Sequence, residues 1–405
     1  MLQLFNSLGN SRETFQLPHS KGVTIFTCGP SVYQKAHIGN FRTFLFEDIL
    51  VRYLEYSGYK VTRGMNFTDT EAKAIDEAKK RKIDVKTLTE ENIAEFLREM
   101  RLLKMKIPEY LPRASESVGE AVRIIKRLVE AGIAYWHQGN VYFDPLKYPG
   151  FGKLYGLDMT KWPKRKRRFH KDTYPGIQWN RGDFILWHGD EKGESVSWDT
   201  EIGRGRPAWN IQDPAMIRPY FHETLAIYCG GIDNLYRHHD YTLSILESIT
   251  DYPLAKFWLH CHHLFVKGQK MSKSKGNVYY TDTLLNQGYT AGEIRFFLIY
   301  GHYRTRLNYS PSAMIKATAK LRGLKNIVSQ IMQHTGDDVE HEAKLAQQIK
   351  EIFFKGMDND LNVKEAFDGL HNILSSLDLS RLKADETSGI RGALQEIDGV
   401  LQIIF

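Results

Sequence analysis

The sequence predicts an α/β fold built on a parallel sheet, and three observations carry that expectation. First, a β-branched, apolar run, Val23-Thr-Ile-Phe-Thr27, precedes apolar residues at Ile38, Phe41, Leu45, Ile49 and Tyr53, which are spaced as on a helix until Ser57-Gly58 stops them. Second, a strand pattern over 59–67 completes a β-α-β unit, the connection that parallel strands require. Third, a buried-strand run returns far downstream at 224–229 and ends in Gly230-Gly231, so the sheet is interrupted and then resumed.

Between and beyond these pieces the chain reads in order. Helical patterns cover 69–81, 87–103 and 115–131. From 136 to 200 aromatics, Gly, Pro and short alternating pieces such as 140–143 and 184–187 predict a small β-rich insertion. A helix is expected near His238 and one strand through 257–266. From Ser310 the sequence turns helical, with few glycines over 313–333 and 340–354, which predicts a separate helical bundle. The expected division is 1–110 and 206–310 for the two halves of a Rossmann-type, parallel-sheet catalytic domain, 111–205 for a connective insertion, and 311–405 for a C-terminal α-helical bundle.

Composition sets the class. At 405 residues, 42% hydrophobic and 25% charged, the chain suits a soluble globular protein of several domains. It has no apolar run of the roughly 18 residues that a spanning helix needs, so no membrane partner is expected. The start, Met-Leu-Gln-Leu-Phe-Asn, has no secretory pattern, and three cysteines fit a reducing compartment; a cytoplasmic, monomeric protein is the expectation. A net charge of +7 suggests a polyanionic partner. Its densest source, 161–171, sets Arg165, Lys166, Arg167 and Arg168 between Trp162 and Phe169, a mixture suited to phosphates and unpaired bases; the alternative is a solvated loop.

Two stretches carry chemistry. In His37-Ile-Gly-Asn40 a helix starts where a strand-loop has just ended, so free N–H groups and the helix dipole offer a phosphate site. Gly39 lets a ligand approach the backbone, and His37 can donate to a phosphoryl oxygen, although a His here is more commonly a helix cap. Thr68-Asp-Thr-Glu-Ala-Lys73 lies just beyond the second strand, where a ligand would sit. Lys270-Met-Ser-Lys273-Ser-Lys275 is a cationic, hydrogen-bonding loop suited to a triphosphate and to the charge that develops as pyrophosphate leaves.

With these two signatures more than two hundred residues apart, the chain resembles the class I aminoacyl-tRNA synthetases, and within them the cysteinyl-tRNA synthetases. Cys28-Gly-Pro-Ser-Val-Tyr33, His37-Ile-Gly-Asn40, Phe67-Thr-Asp69, Gly205-Arg-Pro-Ala-Trp209, Gly230-Gly-Ile-Asp233, His238-His239, Lys270-Met-Ser-Lys-Ser274 and Met357-Asp-Asn-Asp carry the resemblance from end to end. It implies that the protein activates an amino acid with ATP and Mg²⁺ to an aminoacyl-adenylate and transfers it to the acceptor end of a tRNA. It also implies roles. His37 and Asn40, with Gly39, would bind phosphates, Gly231 and Asp233 the ribose, and Lys270 and Lys273 the transition state. Cys28, Tyr33, Thr68, Trp209, Asp213, His238 and His260 would form the amino-acid pocket, and Arg165 to Arg168 would contact RNA.

The resemblance breaks at the family's zinc site, whose four ligands are Cys, Cys, His and Glu. Cys28 and His238 match, but Asp213 and Thr242 stand at the other two positions. Cys28, Asp213 and His238 remain a three-donor set, with Cys229 or His239 as substitutes, but Thr is a poor ligand and a carboxylate hardens the site. Two losses weigh against bound Zn²⁺ and leave open whether the amino acid is cysteine. The chain also stops at Phe405, where the family's anticodon-reading domain starts. Beside tRNA charging stand two alternatives: a tRNA-independent ligase joining the adenylated amino acid to a small amine, and a non-catalytic RNA-binding paralogue.

Overall fold

The computed structural model describes residues 1–17, 22–161, 182–190, 196–271, 275–333, 344–378, 382 and 384–405. Gln3–Asn6 (β1) and Ser11–Thr14 (β2) form an antiparallel hairpin. Val23–Thr27 (β3) then starts the main sheet, and Val61–Met65 (β4) joins it in parallel after the crossover helix Ile38–Tyr56 (α1). Ala72–Arg81 (α2), Val85–Leu102 (α3) and Val118–Glu130 (α4) follow.

The insertion is an antiparallel sheet of Ala134–His137 (β5), Asn140–Phe143 (β6), Phe184–Gly189 (β7) and Gly205–Pro207 (β8), paired in that order. Helix Trp209–Ile217 (α5) leads back to Leu225–Gly231 (β9) and Ala255–Cys261 (β10). The main sheet is parallel throughout, in the order β10-β9-β3-β4. Between β9 and β10 the chain enters Ile232–Asn234 (α6) directly from the strand, widens over Leu235–His239 and continues into Asp240–Glu247 (α7). The helix expected near His238 thus begins six residues earlier, at the end of the strand itself.

The single strand expected over 257–266 is two. At His262 the backbone N–H turns away to the carbonyl of Tyr303 (2.7 Å). Leu264–Val266 (β11) then pairs with Gln269–Lys270 (β12) and with Leu307–Tyr309 (β13) in a separate small sheet. Apolar content alone does not register this change of partner. Thr281–Asn286 (α8) and Ala291–Ile299 (α9) lie between these strands, and Pro311–Gln333 (α10), Lys344–Asp358 (α11), Val363–Ser375 (α12) and Ala384–Leu401 (α13) follow.

These last helices are not a separate core. One apolar cluster runs from Val23 and Ile25 of the sheet through α1 to Phe353, Phe367, Leu394 and Ile397. Helix α1 is therefore buried on more sides than the Ile38–Tyr53 spacing suggested, and even Glu47 and Asp48 are covered. Buried charges need partners, and both have them: Glu47 meets Arg63 at 2.9 Å, and Asp48 meets Arg295 at 2.6 Å and Arg52 at 3.0 Å. Arg295 also donates to the carbonyls of Leu401 (2.7 Å) and Leu103 (2.9 Å), stitching α13 and α3 to α9.

Candidate active site

From β3 the chain crosses to β4 on one side, and β9 lies on the other, so the strand order reverses between β3 and β9. In such sheets the ligand crevice opens beyond the carboxyl ends of the two strands at that point. Cys28 leaves β3 there and donates its N–H to the carbonyl of Cys229 on β9 (3.0 Å). Gly29 follows because nothing larger fits: its N–H reaches Asn66 Oδ1 (2.8 Å), and a Cβ would lie 1.8 Å from the Asn66 carbonyl oxygen. Thr68 runs alongside, its N–H on the Pro30 carbonyl (3.2 Å) and its own carbonyl accepting from Val32 (3.1 Å).

On the nucleotide side, His37 is the N-cap of α1. Its Nδ1 accepts from the Asn40 N–H (3.1 Å), and Asn40 Oδ1 accepts from the His37 N–H (3.0 Å). The commonplace reading of this His is therefore correct, and it also fixes the pair at the helix mouth. The lysine-bearing segment comes to the same place: Met271 Sδ lies 3.4 Å from where a Cβ on Gly39 would stand, and the Ile38 N–H donates to the Tyr279 carbonyl (3.0 Å). Lys270 Nζ sits 3.1 Å from Asp233 Oδ2, with His263 Nε2 at 3.8 Å from the other oxygen. Burial opposes ionisation of Asp233, but His263 and Lys270 outweigh it and hold its carboxyl below the usual range. Gly231 abuts Asp233, whose Oδ1 would lie 2.7 Å from an added Cβ. Lys273 and the Arg165 to Arg168 segment lie outside the described residues.

On the other side of Cys28, donor atoms of Cys28, Asp213 and His238 lie within 4.8 Å of one another. Asp213 is fully buried and saturated. Its Oδ2 accepts from the Tyr228 hydroxyl (2.9 Å) and lies 2.9 Å from His238 Nε2, and its Oδ1 accepts from Asn66 Nδ2 (3.0 Å). Burial, and then the Asp213 carboxylate, push the Cys28 thiol well above its ordinary range. The His238 ring stacks on Trp209, with centroids 3.9 Å apart and planes 13° off parallel. Tyr33 lies beneath Lys73, whose Nζ is 5.4 Å from the ring centre.

His260, expected in this pocket, is a buried residue of β10. Both of its ring nitrogens are engaged, Nδ1 with Ser7 Oγ (2.8 Å) and Nε2 with His239 Nδ1 (2.8 Å). The group of close donors comprises Cys28, Asp213 and His238; neither His239 nor Cys229, a buried residue of β9, belongs to it. Sequence reasoning missed Asn66, Tyr228 and His263. Asn66 directly follows β4, a strand-end position that could have marked it; His263 gives no local signal.

Cys28, Asp213 and His238 offer three donors that could hold a metal ion. Asp213 and His238 meet at 2.9 Å, a hydrogen-bond distance, closer than the roughly 3.3 Å between ligands about 2.0–2.3 Å from a tetrahedral ion, and Thr242 stands at the fourth position.

A phosphate-ready helix mouth, an Asp–Lys pair and a polar pocket meet at one switch point of the parallel sheet, an arrangement suited to a nucleotide beside a second, polar ligand. Residues 14–319 match the model of the family described as tRNA synthetases class I (C) catalytic domain. Over its whole length the chain is 35% identical to a cysteine–tRNA ligase of Chlamydia pneumoniae, covering 86% of that protein, and 34% identical to one of Leptospira interrogans, covering 87%. The chain belongs to this cysteinyl-type class I synthetase family. Solved structures share the fold at low identity. Mycobacterium tuberculosis methionyl-tRNA synthetase in complex with methionyl-adenylate aligns with TM-score 0.65 at 13% identity, covering 94% of this chain and 92% of that one. The ternary complex of Agrobacterium radiobacter K84 LeuRS, tRNA and LeuAMS aligns with TM-score 0.68 at 11% identity, covering 95% and 84%. No helix among the described residues is long and apolar enough to cross a membrane.

Proposed function

We propose that this site adenylates a small polar amino acid, cysteine among them, passes it to the terminal ribose of a tRNA, and reads the side chain by hydrogen bonds rather than through zinc. The observation that supports the reading is the hydrogen-bonded Asp213 beside Cys28, next to a corner where Gly39, Asp233 and Lys270 come together.

The substrate carboxylate attacks the α-phosphorus of ATP, an acyl–phosphate bond forms, and the bond to pyrophosphate breaks. No protein nucleophile is needed, so the protein contributes placement and charge. Phosphate oxygens would meet the α1 N–H groups and the Nε2 edge of His37, while Asn40 keeps that ring in place. Lys270 would leave Asp233 for the departing pyrophosphate, together with Lys273 and the Mg²⁺ that ATP brings, and Asp233 would then accept from the ribose hydroxyls. In the second step a ribose hydroxyl of the tRNA attacks the acyl carbon and AMP leaves, with the Arg165 to Arg168 segment assigned to the RNA.

A pocket that reads shape and hydrogen bonds separates near-isosteres by roughly 10–200-fold. The test is amino-acid-dependent ATP–pyrophosphate exchange across the standard amino acids, with metal analysis of the same protein. Serine and cysteine are expected to differ by no more than about that factor, in a protein holding less than stoichiometric zinc. One zinc per chain, or rejection of serine beyond about 10⁴, which hydrogen-bonded sites reach only against analogues lacking the bonded group, overturns the zinc-free reading.

A further inference from the structure

Lys35, two residues before His37, is not part of either signature. Its ammonium lies among three carboxylates whose oxygens approach within 4.8 Å of one another: Glu95 and Glu99 of α3 and Asp282 of α8. It is 2.8 Å from Glu95 Oε1 and 3.6 Å from Glu99 Oε1, and it bonds directly to Asp282. Glu99 is fully buried, and Lys35 is only about a quarter exposed. Lys35 also lies 5.9 Å from the ring centre of Tyr280, the residue that caps α8.

What Lys35 grips is the continuation of the lysine segment. Asp282 is in the first turn of α8. The residues leading into that turn touch both signatures: Asn277 Nδ2 donates to the Lys270 carbonyl (3.2 Å), and the Tyr279 carbonyl accepts from Ile38 (3.0 Å). A path of described contacts therefore runs from Lys35 through α8 and the 277–280 strand of chain to the backbone of Lys270. Without the ammonium, Asp282 would face Glu95 with like charge, and Arg98, 3.5 Å from Asp282 on the exposed side, would be its remaining close cation among the described residues.

We infer that Lys35 is a positioning residue for Lys270: by holding the first turn of α8 against α3 it sets where Lys270 meets the leaving pyrophosphate. The inference rests on the adenylation proposed above. It predicts an effect on the chemical step and none on amino-acid recognition, because the contacts described above tie Lys35 to α3 and α8.

The experiment compares Lys35→Met and Lys35→Arg in the full chain, reading kcat and KM in pyrophosphate exchange, Tm, and amide hydrogen exchange over 277–283. Lys35→Met is expected to lower kcat at least tenfold with amino-acid KM within twofold, and to speed amide exchange over 277–283; Lys35→Arg is expected to restore most of both. Unchanged kcat in Lys35→Met, or unchanged amide exchange there, overturns the inference. Equal losses in both variants accompanied by equal falls in Tm assign Lys35 to stability alone and also overturn it. A wild-type protein that exchanges with no amino acid defeats the adenylation reading instead, and the amide-exchange comparison still decides whether Lys35 holds α8.

Discussion

Asp213 is buried, accepts from Asn66 and Tyr228 and pairs with His238. Replacing it by Ala strands three buried polar groups at about 1–3 kcal/mol each, so Asp213→Ala is expected to lower stability by at least about 2 kcal/mol, read from urea unfolding. Asp213→Cys combined with Thr242→Glu restores the family's donor set, and equilibrium dialysis is expected to show one tightly bound zinc where the parent shows none. Lys270→Ala is expected to cut adenylate formation by about 10²–10³ with little change in ATP affinity, the scale of losing one donor to developing charge; an unaltered exchange rate would remove it from the mechanism. At this scale the sequence displayed the unusual residue but not its use. That Asp213 stands where a Cys is expected was legible, and it read as one donor of a three-donor metal set. Its occupation by Asn66 and Tyr228 was not legible, because those partners come from different strands and meet it only in the folded sheet.

The loop from β3 to α1 shows how local rules and tertiary contact divide the work. The strand Val23–Thr27 and the helix start at Ile38 follow from side-chain pattern alone, and both are found where that pattern puts them. Gly29 belongs to the other kind, since its need for no side chain comes from Asn66, across the sheet. Gly29→Ala is expected to yield little soluble protein, because a backbone atom blocks the Cβ and no rotamer relieves it. His37→Ala should cost about 1 kcal/mol as a lost cap and a further drop in ATP affinity; a stability loss with unchanged ATP affinity would make His37 a cap only. The break at His262 was invisible beforehand. Residues 257–266 are continuously strand-like, and only the appearance of Tyr303 and β13 as partners decides that they serve two sheets.

Across the whole molecule, the catalytic sheet and the last helices hold one another through buried charge. Asp360 accepts from the Phe5 N–H (2.9 Å), the Tyr303 hydroxyl (2.7 Å) and Arg304 (2.7 Å). Burial opposes its ionisation, yet His302, Tyr303, the Phe5 amide and Arg304 outweigh it and keep its carboxyl below the ordinary range. Arg295, Arg52 and the Lys106 amide do the same for Asp48 against its own burial. A carboxyl whose folded pKa is depressed stabilises the fold fully above its unfolded pKa, near 4 for Asp, and loses that contribution as pH falls through the folded value. Tm is therefore expected to hold through neutral pH and fall steeply below about pH 4, less steeply in Asp360→Asn; a flat profile in that region would show that these pairs carry no net stability.

The sequence by itself determined the α/β class, the first strand with its crossover helix, and that His37 opens that helix, because these depend on periodicity and on short stretches with their own chemistry. Tertiary structure decided that the last helices share the sheet's core, that Asp213 is enclosed by hydrogen bonds, and that Lys35 bridges two distant segments. Each of these turns on which side chains from remote parts of the chain share one small, desolvated volume, where an unpartnered polar group is too costly to leave, and no local pattern encodes that coincidence.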